Sequence, residues 1–181
     1  MARYGKLAGQ ILELLATGSL LGFSRYKKVR RELLQESDKI WHSIDRKTLN
    51  YILRRFKLQN YIESIKESSG IEKVRLTNYG RARALIYNFN NLKLPLKKKW
   101  DKKWRFVLFD IPEPKKKIRD ALRRKLKHLG FLEFQKSVFI YPYPCEEEIN
   151  FILNFYNIPE HVYYLEASIT QDKNFRAHFK L

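Results

Sequence analysis

Cysteine is almost missing from this chain: one thiol, Cys145, in 181 residues. That excludes a disulfide framework and any cysteine-rich zinc module, and without a visible activating histidine Cys145 reads as an inert thiol. The seven glycines stand singly, so there is no glycine-rich loop to cradle a phosphate. His42, His128, His161 and His178 are scattered, with no metal-ligand spacing. Apolar runs are short, as in Val107-Leu108-Phe109, and no membrane span fits. The N-terminal stretch also lacks the long apolar core of a secretory signal. Acidic side chains are the remaining scarcity: 19 Asp and Glu stand against 37 Lys and Arg, a formal net charge of +18. What is plentiful is core material, 44% hydrophobic and 14% aromatic residues, so the charge is not that of a disordered basic tail. These features predict a cytoplasmic protein with an anionic partner, most commonly nucleic acid.

The charge is uneven. Residues 96–127 carry 14 basic against 4 acidic side chains, whereas residues 128–181 carry 4 against 7. The densest run, Lys97 to Trp104, follows Leu94-Pro95, where proline and a shift of composition predict a boundary. The expected organisation is an N-terminal domain over 1–92, a basic linker over 93–103 and a second domain over 104–181.

In the first domain Leu7, Ile11, Leu14 and Leu15 recur on one helical face, and Gly18 suits the helix end. A second helix is expected over Tyr26–Glu36, with Val29, Leu33 and Leu34 as its apolar stripe. A third begins at Asp45, a good N-cap flanked by Ile44 and Leu49 at hydrophobic-staple spacing. On that helix Leu49, Ile52, Leu53 and Phe56 share one side, while Arg46, Lys47, Asn50, Arg54 and Lys57 share the other. The period then changes. Tyr61–Lys66 and Ile71–Leu76 read as a hairpin turning at Ser68-Ser69-Gly70, and Thr77 caps a closing helix to about Phe89. Three helices, a hairpin and a final helix make a winged helix-turn-helix. Such a recognition helix enters the major groove, where Arg pairs with guanine, Asn with adenine, and Lys neutralises phosphate. Arg46, Lys47, Asn50 and Arg54 are the candidate groove residues; Lys57 on the same face, and Lys66, Lys73 and Arg75 on the wing near the backbone, complete the candidate DNA-binding set. The alternative is a merely solvated charged face.

In the second domain Trp104–Phe109 reads as a strand, ended by Asp110-Ile111-Pro112. A helix follows over about 115–129 and stops at Gly130. Strands are expected over 131–135 and 137–141, with a bend or bulge near Lys136, then a helix over Glu146–Tyr156 and a strand over 161–167. Phe175–Leu181 is expected to add a short strand. The order βαββαβ is ferredoxin-like, making the chain α+β overall. Trp100 and Trp104 read as packing anchors between the domains, with stacking on nucleic acid as the alternative. The lysines at 97–99 and 102–103 fit a solvated linker or a second phosphate contact equally.

Phe106 to Ile111, a basic helix, and then Phe134-Gln135-Lys136-Ser137-Val138-Phe139 resemble the second CRISPR-associated protein, a small dimeric adaptation protein of ferredoxin-like fold. With a winged helix in front, the chain more closely resembles the phenylacetate-degradation repressor (PaaX) family, whose members join those two modules. The resemblance does not extend to the further C-terminal domain of full-length repressors, which answers to an aryl-coenzyme A ligand; any small-molecule effector is left open. It implies a homodimeric, sequence-specific repressor of double-stranded DNA with no cofactor, and the acidic residues 128–181 are where the subunit interface is expected. The CRISPR resemblance also implies an alternative, in which Asp110 at the end of the first strand meets its copy across a two-fold axis and holds Mg²⁺ for endonuclease chemistry. Its counter-reading is an Asp that caps the backbone of a turn. The lean is against an enzyme. A third alternative is an architectural protein that binds DNA without sequence preference.

Overall fold

Each apolar stripe found in the sequence has somewhere to go only if the elements pack, and they do so in two separate groups. A computed structural model describes residues 5–16, 21–24, 44–66, 71–95 and 99–181. The chain splits into two compact units, Met1–Asn91 and Leu92–Leu181. Element labels below count the described elements only.

The first unit holds α1 (Gly5–Ala16), β1 (Leu21–Ser24), α2 (Arg46–Leu58), β2 (Ile62–Lys66), β3 (Ile71–Leu76) and α3 (Asn78–Asn91). Its strands form an antiparallel sheet in the order β1-β3-β2. β2 and β3 pair from Ile62 opposite Leu76 to Lys66 opposite Glu72, the expected hairpin. β1 pairs with the other edge of β3, Leu21 opposite Val74. The sequence predicts no strand here, because Leu-Gly-Phe-Ser is only four residues long and contains a glycine. The expected helix over Tyr26–Glu36, the helix end at Gly18 and the turn at Ser68–Gly70 lie outside the described residues.

α2 starts where its cap predicts. The Asp45 carboxylate accepts the Thr48 N–H at 2.9 Å, satisfying one of the helix's orphan donors. Leu49, Ile52, Leu53 and Phe56 are buried, and they join Ile11, Leu12 and Leu15 of α1, Ile62, Val74, Leu76 and Ala84 in one core. Ile44 packs against that core from the residue before the cap, as a hydrophobic staple should. Thr77 ties the sheet to α3. Its hydroxyl donates to the Asn60 carbonyl at 2.6 Å and accepts the Gly80 N–H at 3.0 Å. Gly80 itself sits where a Cβ would lie 1.9 Å from the Tyr61 carbonyl oxygen, so no larger residue fits without moving backbone.

The second unit runs β4 (Trp104–Phe109), α4 (Lys116–His128), β5 (Leu132–Gln135), β6 (Val138–Tyr141), α5 (Glu146–Tyr156), β7 (Val162–Ala167) and α6 (Lys173–Phe179). The sheet is antiparallel in the order β5-β6-β4-β7. Gly130 takes φ +94° just beyond the end of α4, a left-handed position that suits a residue without Cβ. The irregularity expected near Lys136 is a register shift between Glu133 and Gln135. One sheet face carries Val107, Phe109, Phe139 and Val162, buried with Leu122 and Leu126 of α4 and Ile149 and Ile152 of α5. Completely burying such side chains contributes roughly 1.5–3 kcal/mol each before entropy is counted.

The C-terminal segment departs from expectation. Phe175–Leu181 is not a strand; it belongs to α6, which spans Lys173–Phe179. Phe175 and Phe179, one helical turn apart, both set their rings on Trp104, with centroids 5.7 and 5.8 Å away. The Asp172 carboxylate accepts the Trp104 indole N–H at 3.1 Å and the Arg176 Nε–H at 3.0 Å. Trp104 and Trp100, expected as anchors between domains, make their ring contacts within the second unit: with each other at 4.8 Å and with α6.

Candidate nucleic-acid interface

The amphipathic register of α2 does two things at once. Burying its apolar face forces Arg46, Lys47, Asn50, Arg54 and Lys57 outward, and all five are exposed. None of them enters an ion pair among the described residues. An exposed, unpaired basic face keeps its donors available for another molecule, and Arg and Asn on adjacent turns are the residue types that read base edges. The negative cap does not cancel this face: the Thr48 backbone amide and its side chain hold Asp45 below the usual carboxylate range, and its charge is spent on the helix N-terminus.

The hairpin residues divide differently. Arg75 donates its Nε–H to Glu63 across the β2–β3 pair at 2.6 Å, so its charge is already partnered in the free protein. Lys73 is half-buried. Lys66 ends β2, and its side chain lies outside the described residues, as does the hairpin tip. The candidate wing contacts therefore do not form a free basic edge comparable to the face of α2.

The lysine-rich stretch is less available than its charge suggests. Arg105 is buried, with its guanidinium bound to Asp101 at 2.5 Å, to Glu166 at 3.2 Å and to the Pro142 carbonyl at 2.9 Å. This bond holds the Asp101 carboxyl down at about 2. Residues 99–103, expected as linker, form a turn closed by the Trp100 indole N–H donating to the Lys103 carbonyl at 2.9 Å. On α4, Lys116 and Arg119 face Glu113, Arg123 binds the Lys136 carbonyl, and Lys127 meets Glu133. Lys125 is buried, and the burial lowers its pKa. Lys117 and Arg124 remain exposed without an ion pair among the described residues. A linear count of lysines and arginines could not have separated these roles, because the partners come from other elements.

Asp110 is exposed at the end of β4, where its backbone N–H donates to the His161 carbonyl at 2.9 Å. Its carboxylate takes no hydrogen bond from the described residues, so it does not cap the turn as the counter-reading expects. Glu113, the nearest acid along the chain, is held by Arg119 at 2.9 Å. Among the described residues no three His, Cys, Asp or Glu side chains converge to hold a metal. A hard cation takes about six oxygen ligands, and one carboxylate from one chain does not fit that demand. Cys145 is buried, and burial pushes its thiol up to about 12, which matches the inert reading.

The sheet face opposite α4 and α5 is only partly covered. The register puts Trp104, Phe106 and Leu108 of β4 on it, beside Leu165 and Tyr163 of β7 and Ile140 and Val138 of β6. α6 closes the Trp104 end. Tyr163 and Leu165 stay 63% and 49% exposed, with Phe134 at 48%. Apolar side chains of this size gathered on one sheet face are a typical protein-contact surface. The sequence signal for it is the apolar run Phe106–Phe109 within β4, which needs cover on both sides.

A βαββαβ order with two helices against one face of an antiparallel sheet places the second unit among ferredoxin-like α+β domains. Residues 97–178 match the family model of the PaaX protein central Cas2-like domain. That match lies within the second unit and supports a PaaX-like family with a Cas2-like domain. No curated protein matches the chain. Among solved structures it is similar to an uncharacterized protein from Mycobacterium tuberculosis, at 18% identity and a TM-score of 0.37. That similarity covers 75% of this chain and 53% of the other, so the chain spans about half the length of that protein. No described helix is long and apolar enough to cross a membrane.

Proposed function

We propose that this protein is a homodimeric, sequence-specific DNA-binding transcriptional regulator that acts as a repressor, with the first unit as a winged helix-turn-helix and the second as the dimerisation module. The observation that carries the reading is the face of α2: Arg46, Lys47, Asn50, Arg54 and Lys57 all exposed and outside any ion pair among the described residues. A helix followed by a two-stranded hairpin, with a third strand on the hairpin's far edge, is the local frame a winged helix requires. The match of residues 97–178 to the central domain of the PaaX family supports a regulator. The half-open sheet face of Phe106, Leu108, Tyr163 and Leu165 supports a second copy as its cover. Two copies of α2 then read a roughly palindromic operator, with half-sites about one helical turn, 34–36 Å, apart or a multiple of it. Occupying a promoter is sufficient for repression and needs no catalysis.

The test is a gel shift on the DNA upstream of the protein's own gene, at physiological salt, against random duplex of the same length. Specific binding should be at least about 10³-fold tighter than binding to random duplex. Equal affinity for both would reject the sequence-specific reading and leave an architectural DNA-binding protein.

A further inference from the structure

Three helices of the first unit line a half-open cavity that the DNA reading does not use. It has a volume of about 260 Å³ and lies between α1, α2 and α3. Leu12, Ile52 and Phe56 form its floor, all of them buried core side chains. Tyr87 forms part of the wall, fixed by its hydroxyl donating to the Lys6 carbonyl at 3.2 Å. The polar side carries two cations, Arg55 of α2 and Arg83 of α3, beside the neutral amides of Gln59, Asn90 and Asn91. Both are exposed, and neither has an acidic partner among the described residues. The Arg55 guanidinium lies 5.8 Å from the centroid of the Tyr51 ring.

We propose that this cavity is a binding site for a small organic carboxylate, its apolar body against Leu12, Ile52 and Phe56 and its carboxylate held by Arg55 and Arg83. The chemistry follows from the two halves. An apolar floor gains by displacing poorly held water with carbon. Guanidinium forks match a carboxylate two bonds at a time, and they hold it best where one side of the site is dry. Inorganic phosphate would satisfy the arginines and leave the floor wet. A neutral amide would fill the floor and leave both cations unpaired. The volume lies just under the roughly 300–1,000 Å³ of ordinary small-molecule sites, too small for a nucleotide-bearing conjugate. Arg55 stands on the same helix as Arg54 and Asn50, so the ligand sits directly behind the candidate DNA face. An effect on DNA rests on the proposed reading of α2; binding of the ligand does not.

The experiment is isothermal titration of the full chain, without DNA, in chloride buffer. The probes are benzoate and hexanoate, with benzamide and inorganic phosphate as comparisons. At least one carboxylate should bind in a one-to-one ratio, and benzamide and phosphate should bind at least about tenfold more weakly. The double variant Arg55→Gln, Arg83→Gln should lose about tenfold or more in affinity while keeping the far-UV CD spectrum. Ala8→Leu fills the cavity without touching the cations, and it should abolish binding while leaving the melting temperature unchanged or higher. No saturable binding of either carboxylate up to about 5 mM would overturn the proposal. So would equal binding of benzamide, or an affinity unchanged by the filling variant. A failed gel shift beside intact carboxylate binding would reject the DNA reading alone.

Discussion

Individual residues of like charge play unlike parts here, and substitution should separate them. Arg54→Ala should cost about 1–3 kcal/mol of specific DNA affinity and relax the operator at one position. Lys57→Ala should instead weaken all sequences alike and reduce the salt slope by about one. Quantitative gel shifts over a salt series distinguish the two; a uniform loss for Arg54→Ala would remove it from base reading. Arg105, equally basic in a composition count, should not affect DNA directly, because it is buried on Asp101, Glu166 and Pro142. Its partner predicts a pH dependence. Asp101 is held at about 2 by the hydrogen bond from Arg105, below its ordinary value of about 3.9. Its contribution to stability is therefore complete above about pH 4 and fades as the pH falls toward 2. Half-exposure and solvent screening keep that contribution to about 1 kcal/mol or less. Urea midpoints at pH 6 and pH 2.5 should converge in Asp101→Asn relative to the native chain; an unchanged difference would place the acid sensitivity on another carboxylate. The cap at Asp45, the helix stop at Gly130 and the outward set Arg46 to Lys57 were readable from the sequence, since each depends on neighbours within one turn. The pairing of Arg75 with Glu63 was not, because it arises only when β2 and β3 align.

At the scale of elements, the links between helices and strands rest on few side chains. Thr77 joins the end of α2, the hairpin and α3 through one hydroxyl. Thr77→Ala should destabilise the first unit by about 1 kcal/mol, and Thr77→Ser should restore most of it, as read by urea unfolding. α6 shows where pattern fails. Phe175, Ala177, Phe179 and Leu181 alternate with polar residues at a period of two, as a strand would. Phe175 and Phe179 are also one helical turn apart, and the sheet face they cover favours that second reading, because both rings reach Trp104. β1 is the converse case: a segment too short to declare itself becomes a strand because the free edge of β3 accepts it.

For the whole molecule, the half-open sheet face is the feature with a consequence in solution. Leu165→Glu should convert a dimer into a monomer, measured by light scattering after size exclusion, and weaken operator binding through lost avidity. Native protein that is monomeric at tens of micromolar would overturn the dimeric reading. Local order carried most of what could be read without coordinates: two groups of elements, the ferredoxin-like βαββαβ sequence, and the polarity of α2 all follow from periodicity, caps and turn residues, which act over a few positions along the chain. Distribution of the +18 charge is a different matter. Which cations are consumed by Asp101, Glu113, Glu133 and Glu166 and which remain free depends on partners brought together by sheet register and helix packing. The same is true of the cavity between α1, α2 and α3 and of the apolar face beside β7. Both arise where packed elements stop short of filling space, and no linear pattern encodes a gap.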